Sequence, residues 1–587
     1  MAQMLNVRLY RIAWIVAIVG ILLVLLTLQT PTTAPEPVVP SAINGVAVAN
    51  VTSELEATAP TRAPGSAGDQ AAAAWVRQQF LDISGSRNPV MSAASVGEQE
   101  FVARWRGRLV QGTNVYISLP GTLTGSSQLP AIVIAAPRDA PPGVTSDASA
   151  TGMLVALAQL SANTTHQRPL IFASLDDSTV GNAGMRWFLP KVLGVHVGAV
   201  VNVDAPDGAV GNAVWVWSDG RDSAQALGLD LMARTAISRA GGTAAPHPGV
   251  VTQLLRLAVP QSFGDQAPPI ASGVPAVTIA GRPDTPAYGA TASNDNHLAV
   301  VGDSVLGLAG SLDVTTRIPG PGQSVFVVGR ELTTTALRIL LFLTILPVLA
   351  VAVDAVVRLR RARIVWGLGA VALGWRILPW VAAGLAATML GRAGLMPGMS
   401  AGAVPLPGDA PVLLRSVVAL AAVVVIALVI SFLSASRIAR LAVIPASDVA
   451  VSLAGLAVML GVVWTMRPVM LVLVIPAAHA AVIALTATRR RQLVPLVVVG
   501  VAPALVLCWS VADQLNRGVI YAAWYLIVTT AQGGRGAVGP VCALVLLGCA
   551  CSVVLVADHR LRHVPQIPRP PVWDLVTSTV RNLRTDR

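Results

Sequence analysis

LIFASLDDSTVGNAGMRWFLPKVLGVHVGAVVNVD (residues 170–204) holds the pattern that decides the architecture of this chain. Two short, continuously apolar runs, 170–175 and 198–203, flank a helix-like stretch over 183–193. An apolar run without polar alternation marks a strand buried on both faces, and a helix between two such strands returns the chain to lay them parallel. Both runs end on carboxylates: Asp176 and Asp177 follow the first, and Asp204 the second. The signature recurs outward, with strand-like runs at 114–119, 131–136 and 275–280 and helix-like stretches at 70–83, 150–161 and 223–239. The expected class is α/β, a mainly parallel sheet flanked by helices. Such sheets bind ligands at their C-terminal strand ends. Arg138 and Asp139 lie at another of those ends.

Outside this domain the composition changes. The 587 residues are 54% hydrophobic and 12% charged, with mean hydropathy +0.66, whereas soluble domains carry about 25% charged residues. Residues 12–28 form an uncharged apolar run behind Arg8 and Arg11. The run is longer than the ~7–15 residues of a signal-peptide core and no small-residue cleavage site follows, so segment 1–30 reads as a transmembrane anchor. Residues 31–48 read as a Pro/Thr/Ala-rich linker and 49–325 as the α/β domain. Further apolar spans are expected near 334–357, 365–390, 411–434, 447–465, 469–487, 493–511 and 537–557. Together they make an all-α transmembrane bundle of about seven helices over 334–557, long enough at roughly 20 residues each to cross a bilayer. The shorter stretch 519–531 reads as interfacial or re-entrant.

Residues 31–330 contain 17 Lys+Arg against 21 Asp+Glu, so the formal charge of +12 belongs to the helical parts. Its arginines cluster at 358–363, 437–440, 489–491 and in a basic tail, 558–587. This is the pattern of cytoplasmic loops. It predicts a multi-pass plasma-membrane protein with both termini cytoplasmic and the α/β domain outside. The bilayer is then the first partner, and nucleic acid is not expected. All four cysteines fall in the apolar C-terminal segments, so the α/β domain has no disulfide. Arg376 and His479 lie inside spans, where ionisable residues raise a functional question. A proton or substrate path, a structural pair, a snorkelling side chain and a contact with the domain all fit them at this level.

Seven segments, in order, resemble one family. They are TRAPGSAGDQAAAAWVRQQF (61–80), NVYISLPGT (114–122), AAPRDA (135–140), SDASATGMLVALAQL (146–160), FASLDDSTVGNAGMRWF (172–188), VVNVDAPDG (200–208) and GDQAPPIASGVPAVTI (264–279). Each is similar to a motif of the two-zinc aminopeptidase family (peptidase family M-28). The layout of one anchor, one such domain and several C-terminal spans is also similar to the peptidase-like membrane subunit of the glycosylphosphatidylinositol transamidase.

The resemblance implies two zincs sharing a bridging carboxylate, each with a His and a further carboxylate, and a glutamate base acting on the metal-bound water. Carried over residue by residue, the site is degenerate. Asp147 and Asp204 occupy ligand positions that are retained, and Asp139 stands where the family orients a ligand. Pro137, Thr179 and Gly289 occupy ligand positions that are lost, and Ser178 stands at the position of the base. Asp147 also reads as an N-cap for the helix starting near Ser149. Asp176, Asp177 and His297 are candidates for rebuilding a shifted ligand set.

Three functional classes follow. In the first, a catalytically degenerate peptidase-like domain binds or scaffolds a peptide, a lipid-linked substrate or a partner protein outside the cytoplasm, with no cofactor. In the second, an active zinc-dependent membrane aminopeptidase uses rearranged ligands. In the third, the bundle is a transporter or channel and the domain its sensor.

Overall fold

The computed structural model describes residues 5–30, 43–85, 94–105, 108–121, 129–141, 148–191, 196–208, 213–220, 223–260, 262–284, 294–393, 395, 414–531 and 538–563. Asp147 and Gly289 lie outside them, as do most of the linker 31–48 and of the tail 558–587.

Helix α1 (Val7–Leu25) precedes the α/β domain. The domain then runs α2 (Gly45–Thr58), α3 (Ala67–Ser84), β1 (Ser95–Trp105), β2 (Arg108–Leu119), β3 (Ala131–Pro137), α4 (Ser149–Ser161), β4 (Leu170–Leu175), α5 (Ala183–Lys191), β5 (Val197–Asp204), β6 (Ala213–Trp217), α6 (Leu227–Arg239), β7 (Thr243–Ala244), α7 (Val250–Ala258), α8 (Ala267–Ala271), β8 (Ala276–Ala280) and α9 (Asp295–Val314). A hairpin of β9 (Val325–Val327) and β10 (Arg330–Leu332) leads to α10 (Thr334–Arg361), α11 (Gly367–Arg392), α12 (Leu414–Ala439), α13 (Pro445–Met466), α14 (Leu471–Ala484), α15 (Leu493–Leu515), α16 (Val519–Ala531) and α17 (Val538–His563).

Eight strands form one mixed sheet in the order β1-β2-β4-β3-β5-β8-β6-β7. Its centre, β4-β3-β5-β8, is parallel throughout, and its residues are buried almost everywhere. β2 and β6 flank that centre antiparallel. The sheet is therefore less uniformly parallel than the sequence suggests, and the physical cause is visible in β1. That edge strand mixes exposed and buried positions, so it has no continuous apolar run to announce it. Val76 and Phe80 of α3, Met153 and Leu157 of α4 and Val305 of α9 pack with Ile132, Phe172 and Val200 of the sheet into one core. Helix α9 is long and apolar enough to cross a membrane. Two-thirds of its apolar window is buried within the protein, however, so it is a core helix of this domain.

Helices α1, α10, α11, α12, α13, α15 and α17 are also long and apolar enough to cross a membrane. The run Pro468–Ala484, which contains α14, is shorter. Their outer faces carry exposed Val425, Leu428 and Phe432 on α12 and Val498 and Trp509 on α15. Apolar surface of that extent is stable against lipid, not water. The helical half is thus a multi-pass membrane bundle in length and surface.

The α/β domain sits on one end of the bundle. Gln29, beyond α1, pairs with Glu331 of β10, and Leu257 and Ala258 of α7 pack among the helices. Arginines 358, 360 and 361 end α10 at the far end, where Arg490 meets Asp558 of α17. α16 keeps both its ends on the domain side: Tyr525 contacts Phe263, and Ala531 abuts Gly391 near the end of α11.

Candidate functional site

Parallel strands end on one rim, and here that rim gathers Asp139 after β3, Asp176 to Thr179 after β4, Asp204 at the end of β5 and Arg282 after β8. A tight turn follows β4. Its Asp177 and Asn182 adopt positive φ of 52° and 57°, and the Val180 and Ala183 N–H groups donate back to the Asp177 carbonyl. The turn presents Ser178 and Thr179 side by side. Asp139 accepts the backbone N–H of Ser178 (2.7 Å), that of Thr179 (3.0 Å) and the Thr179 hydroxyl. The Ser178 hydroxyl donates instead to Oδ2 of Asp265 (2.7 Å), whose Oδ1 accepts Asn182 Nδ2 (2.9 Å). Burial, and then the charge of Asp176, raise the Asp139 carboxyl against the pull of its donors, leaving it at about 6, and burial outweighs the Ser178 and Asn182 donors to leave Asp265 at about 7.

Behind this pair lies a buried cation. Arg138 is fully enclosed, its NH2 lying 3.0 Å from Oδ2 of Asp176 and 3.4 Å from Oδ1 of Asp69, and it donates to the Thr113 carbonyl (2.8 Å). Asp176 also accepts the N–H groups of Thr113 and Asp177, both at 2.7 Å. Asp176 therefore serves as the counter-ion of Arg138. Asp177 lies beside Gly112, also on β2. A Cβ at Gly112 would stand 2.8 Å from its Oδ2 and 2.5 Å from the Phe101 ring, so only glycine fits there. Neither Asp177 oxygen has a hydrogen-bond partner among the described residues. Burial, and then the charges of Asp176, Asp139 and Asp69, push this carboxyl up to about 8. At neutral pH it is held largely as the neutral acid.

Asp204 faces Arg282, whose NH2 is 3.4 Å from Oδ1 and 3.5 Å from Oδ2. The Arg282 carbonyl is held in turn by Trp217 Nε1 (3.0 Å). His297 lies in the first turn of α9, buried, with its backbone N–H on Asn294 and its imidazole pKa lowered by burial. No hydrogen bond joins it to Asp176 or Asp177 among the described residues.

The zinc pair implied by the sequence resemblance does not fit the donors described. Pro137 offers no ligating side chain, and Ser178 and Thr179 offer neutral hydroxyls. Asp139 is filled with donors, and Asp204 has a guanidinium against it. Among the described residues, no group of three or more His, Cys, Asp or Glu side chains is arranged to hold a metal.

Sequence reasoning did not single out Asp265, Asn182 or Arg282. Asp265 lies within a quoted motif (264–279), and Arg282 stands two residues past the buried strand β8, as Asp139 does past β3. Strand-end position alone was the available signal.

The rim also touches the bundle. Asp284 accepts the Phe263 N–H on its carboxylate, and Gln514 of α15 donates to its carbonyl (3.1 Å). Phe263 packs with Val511, Leu515, Ala522 and Tyr525 of α15 and α16. The two intramembrane residues are elsewhere. Arg376 makes a two-pronged ion pair with Asp448 (2.5 and 2.8 Å). His479 lies between the Tyr10 hydroxyl (2.8 Å) and the Thr344 carbonyl (2.9 Å).

No family model matches the chain, and no curated protein matches it. Solved structures similar to it include the LapA aminopeptidase of Legionella pneumophila, at 15% identity over 47% of this chain and 71% of that one, with a TM-score of 0.36. A glutaminyl cyclase of an Acidobacteriales bacterium matches at 19% identity over 48% and 99%, TM-score 0.34. A Zn-dependent exopeptidase of Parabacteroides distasonis matches at 14% over 45% and 97%, TM-score 0.34.

Proposed function

We propose that this multi-pass membrane protein carries a degenerate peptidase-like domain outside the cytoplasm, and that the domain binds a peptide, lipid-linked substrate or partner protein without hydrolysing it. The observation that carries this reading is the Asp204–Arg282 pair. A carboxylate at a metal-ligand position holds a cation less well when the chain already supplies a guanidinium beside it. Ser178 strengthens the case, because its hydroxyl is committed as a donor to Asp265. A neutral hydroxyl so engaged supplies no general base, and losing such a base typically costs about 10²–10⁴ in rate. The orientation rests on arginines that end α10, flank α15 and end α17 on the side away from the domain.

The test uses the whole chain in detergent, since the domain packs on the bundle. Zinc is measured by elemental analysis after equilibration with the metal, and release of N-terminal residues is followed on a peptide library. Near-absent zinc, no turnover and retained peptide are expected. Close to two zincs per chain together with turnover would replace this reading by an aminopeptidase with rearranged ligands.

A further inference from the structure

We propose that the groove between the arginine-rich ends of α15 and α17 is a binding site for an anionic phospholipid. The groove is open, with a volume of about 520 Å³, at the end of the bundle remote from the α/β domain, and Arg490, Arg491, Val494, Val497, Val498 and Asp558 line it.

Its two halves differ in chemistry. At the mouth, one carboxylate organises two guanidiniums. Asp558 Oδ1 is 2.6 Å from Arg490 Nε, and its Oδ2 accepts Arg562 Nε at 2.9 Å. Arg560 is fixed by the Ala487 carbonyl (3.0 Å). Arg490 and Arg562 meet Asp558, and with their chain neighbours Arg489, Arg491 and Arg560 this stretch of α15 and α17 carries five arginines against one aspartate, an excess of four positive charges. The positive end of the α15 dipole adds to them. Guanidinium forks match phosphate oxygens in pairs, and pinned side chains lose little freedom on binding. Deeper in, the wall is apolar, and Val494, Val497 and Val498 are 64%, 49% and 61% exposed. From Arg490 to Val498 the helix rises roughly 12 Å, at about 1.5 Å per residue, the depth of a headgroup and its first acyl carbons. A free phosphate would satisfy the mouth and leave the valines bare. A lipid phosphodiester with its chain along the wall satisfies both.

The whole chain is reconstituted in phosphatidylcholine nanodiscs with and without phosphatidylglycerol, and bound lipid is counted by native mass spectrometry. Wild type and Arg437→Gln, a charge loss at the same end but outside the groove, are expected to retain phosphatidylglycerol over phosphatidylcholine. The Arg490→Gln/Arg491→Gln variant should lose that preference by about tenfold or more. Arg491→Gln alone, which leaves the Asp558 cluster intact, should lose part of it. Val497→Trp, which fills the apolar half, should lose retention with every arginine in place. Equal retention by the double variant and wild type would overturn the site. So would inorganic phosphate binding wild type and Val497→Trp equally while displacing the lipid, because the groove would then be a bare anion site.

Discussion

The guanidinium of Arg282 stands 3.4 Å from the carboxylate of Asp204, so the end of β5 is faced by a cation of the chain itself. Both side chains are about a quarter exposed or less, enough for water to screen them. Removing Arg282 should therefore cost only about 0–1 kcal/mol of stability. Its effect on zinc should be larger in relative terms. Zinc titration is expected to give weak binding in wild type and tighter binding in Arg282→Ala. Unchanged affinity would show that Arg282 does not control cation access.

Asp265 is the residue on which the turn after β4 depends. It accepts from both Ser178 and Asn182 and is nearly inaccessible to water. Asp265→Ala takes the acceptor of the buried Ser178 hydroxyl and one of the two acceptors of Asn182 Nδ2, which keeps the Phe263 carbonyl (2.8 Å), at a cost of about 1–3 kcal/mol. Thermal unfolding of the variant should fall accordingly, and Ser178→Ala in the same background should restore part of the loss. No restoration would mean that the two groups are not coupled.

Asp177 makes the stability of the domain depend on pH. Its carboxyl is near 8 in the fold and about 4 in an unfolded chain. Between those values the folded state holds a proton that the unfolded state has released. Its contribution is therefore fully present below about pH 4 and lost as the pH rises through 8. Asp177→Asn keeps the shape and tolerates positive φ. The variant should melt higher than wild type at pH 8, with the difference shrinking towards pH 5. A constant difference would count against a neutral Asp177.

Tyr10 and His479 lock the first helix into the bundle. With Nε2–H donating to the Thr344 carbonyl, Nδ1 is left to accept the Tyr10 hydroxyl, and Trp14 packs against the same ring at 4.9 Å between centroids. A double-mutant cycle of Tyr10→Phe and His479→Phe should give a coupling of about 0.6–1.7 kcal/mol, as measured for hydrogen bonds between membrane helices. A chain lacking residues 1–30 should lose thermal stability in detergent.

Phe263 and Gln514 join the rim of the α/β domain to α15 and α16. Phe263→Ala should cost about 3–5 kcal/mol at that interface. Limited proteolysis is the direct readout: cleavage between 260 and 285 should accelerate in the variant while fragments of the bundle stay unchanged.

Much of this could be read along the chain. The central strands were legible because full burial writes an uninterrupted apolar run, as in 131–136 and 170–175, close to β3 and β4. The membrane helices were legible because lipid demands about twenty apolar residues in succession. β1, α2, α7 and α9 escaped: β1 has no continuous apolar run, and the short α2 and α7 offer few turns in which a helical period can show. Asp139 and Asp204 were singled out at strand ends and Ser178 and Thr179 through the resemblance, whereas Asp265 and Arg282 were not singled out.

Local composition is enough to specify buried strands and spanning helices, because each burial demand acts on neighbours in sequence. Pairing is different. Arg282 meets Asp204 across 78 positions, Ser178 meets Asp265 across 87 and His479 meets Tyr10 across 469. A carboxylate reads the same in a sequence whether a metal, a guanidinium or a hydroxyl will face it. Only the packing of distant segments selects the partner, and with it the chemistry left to the site.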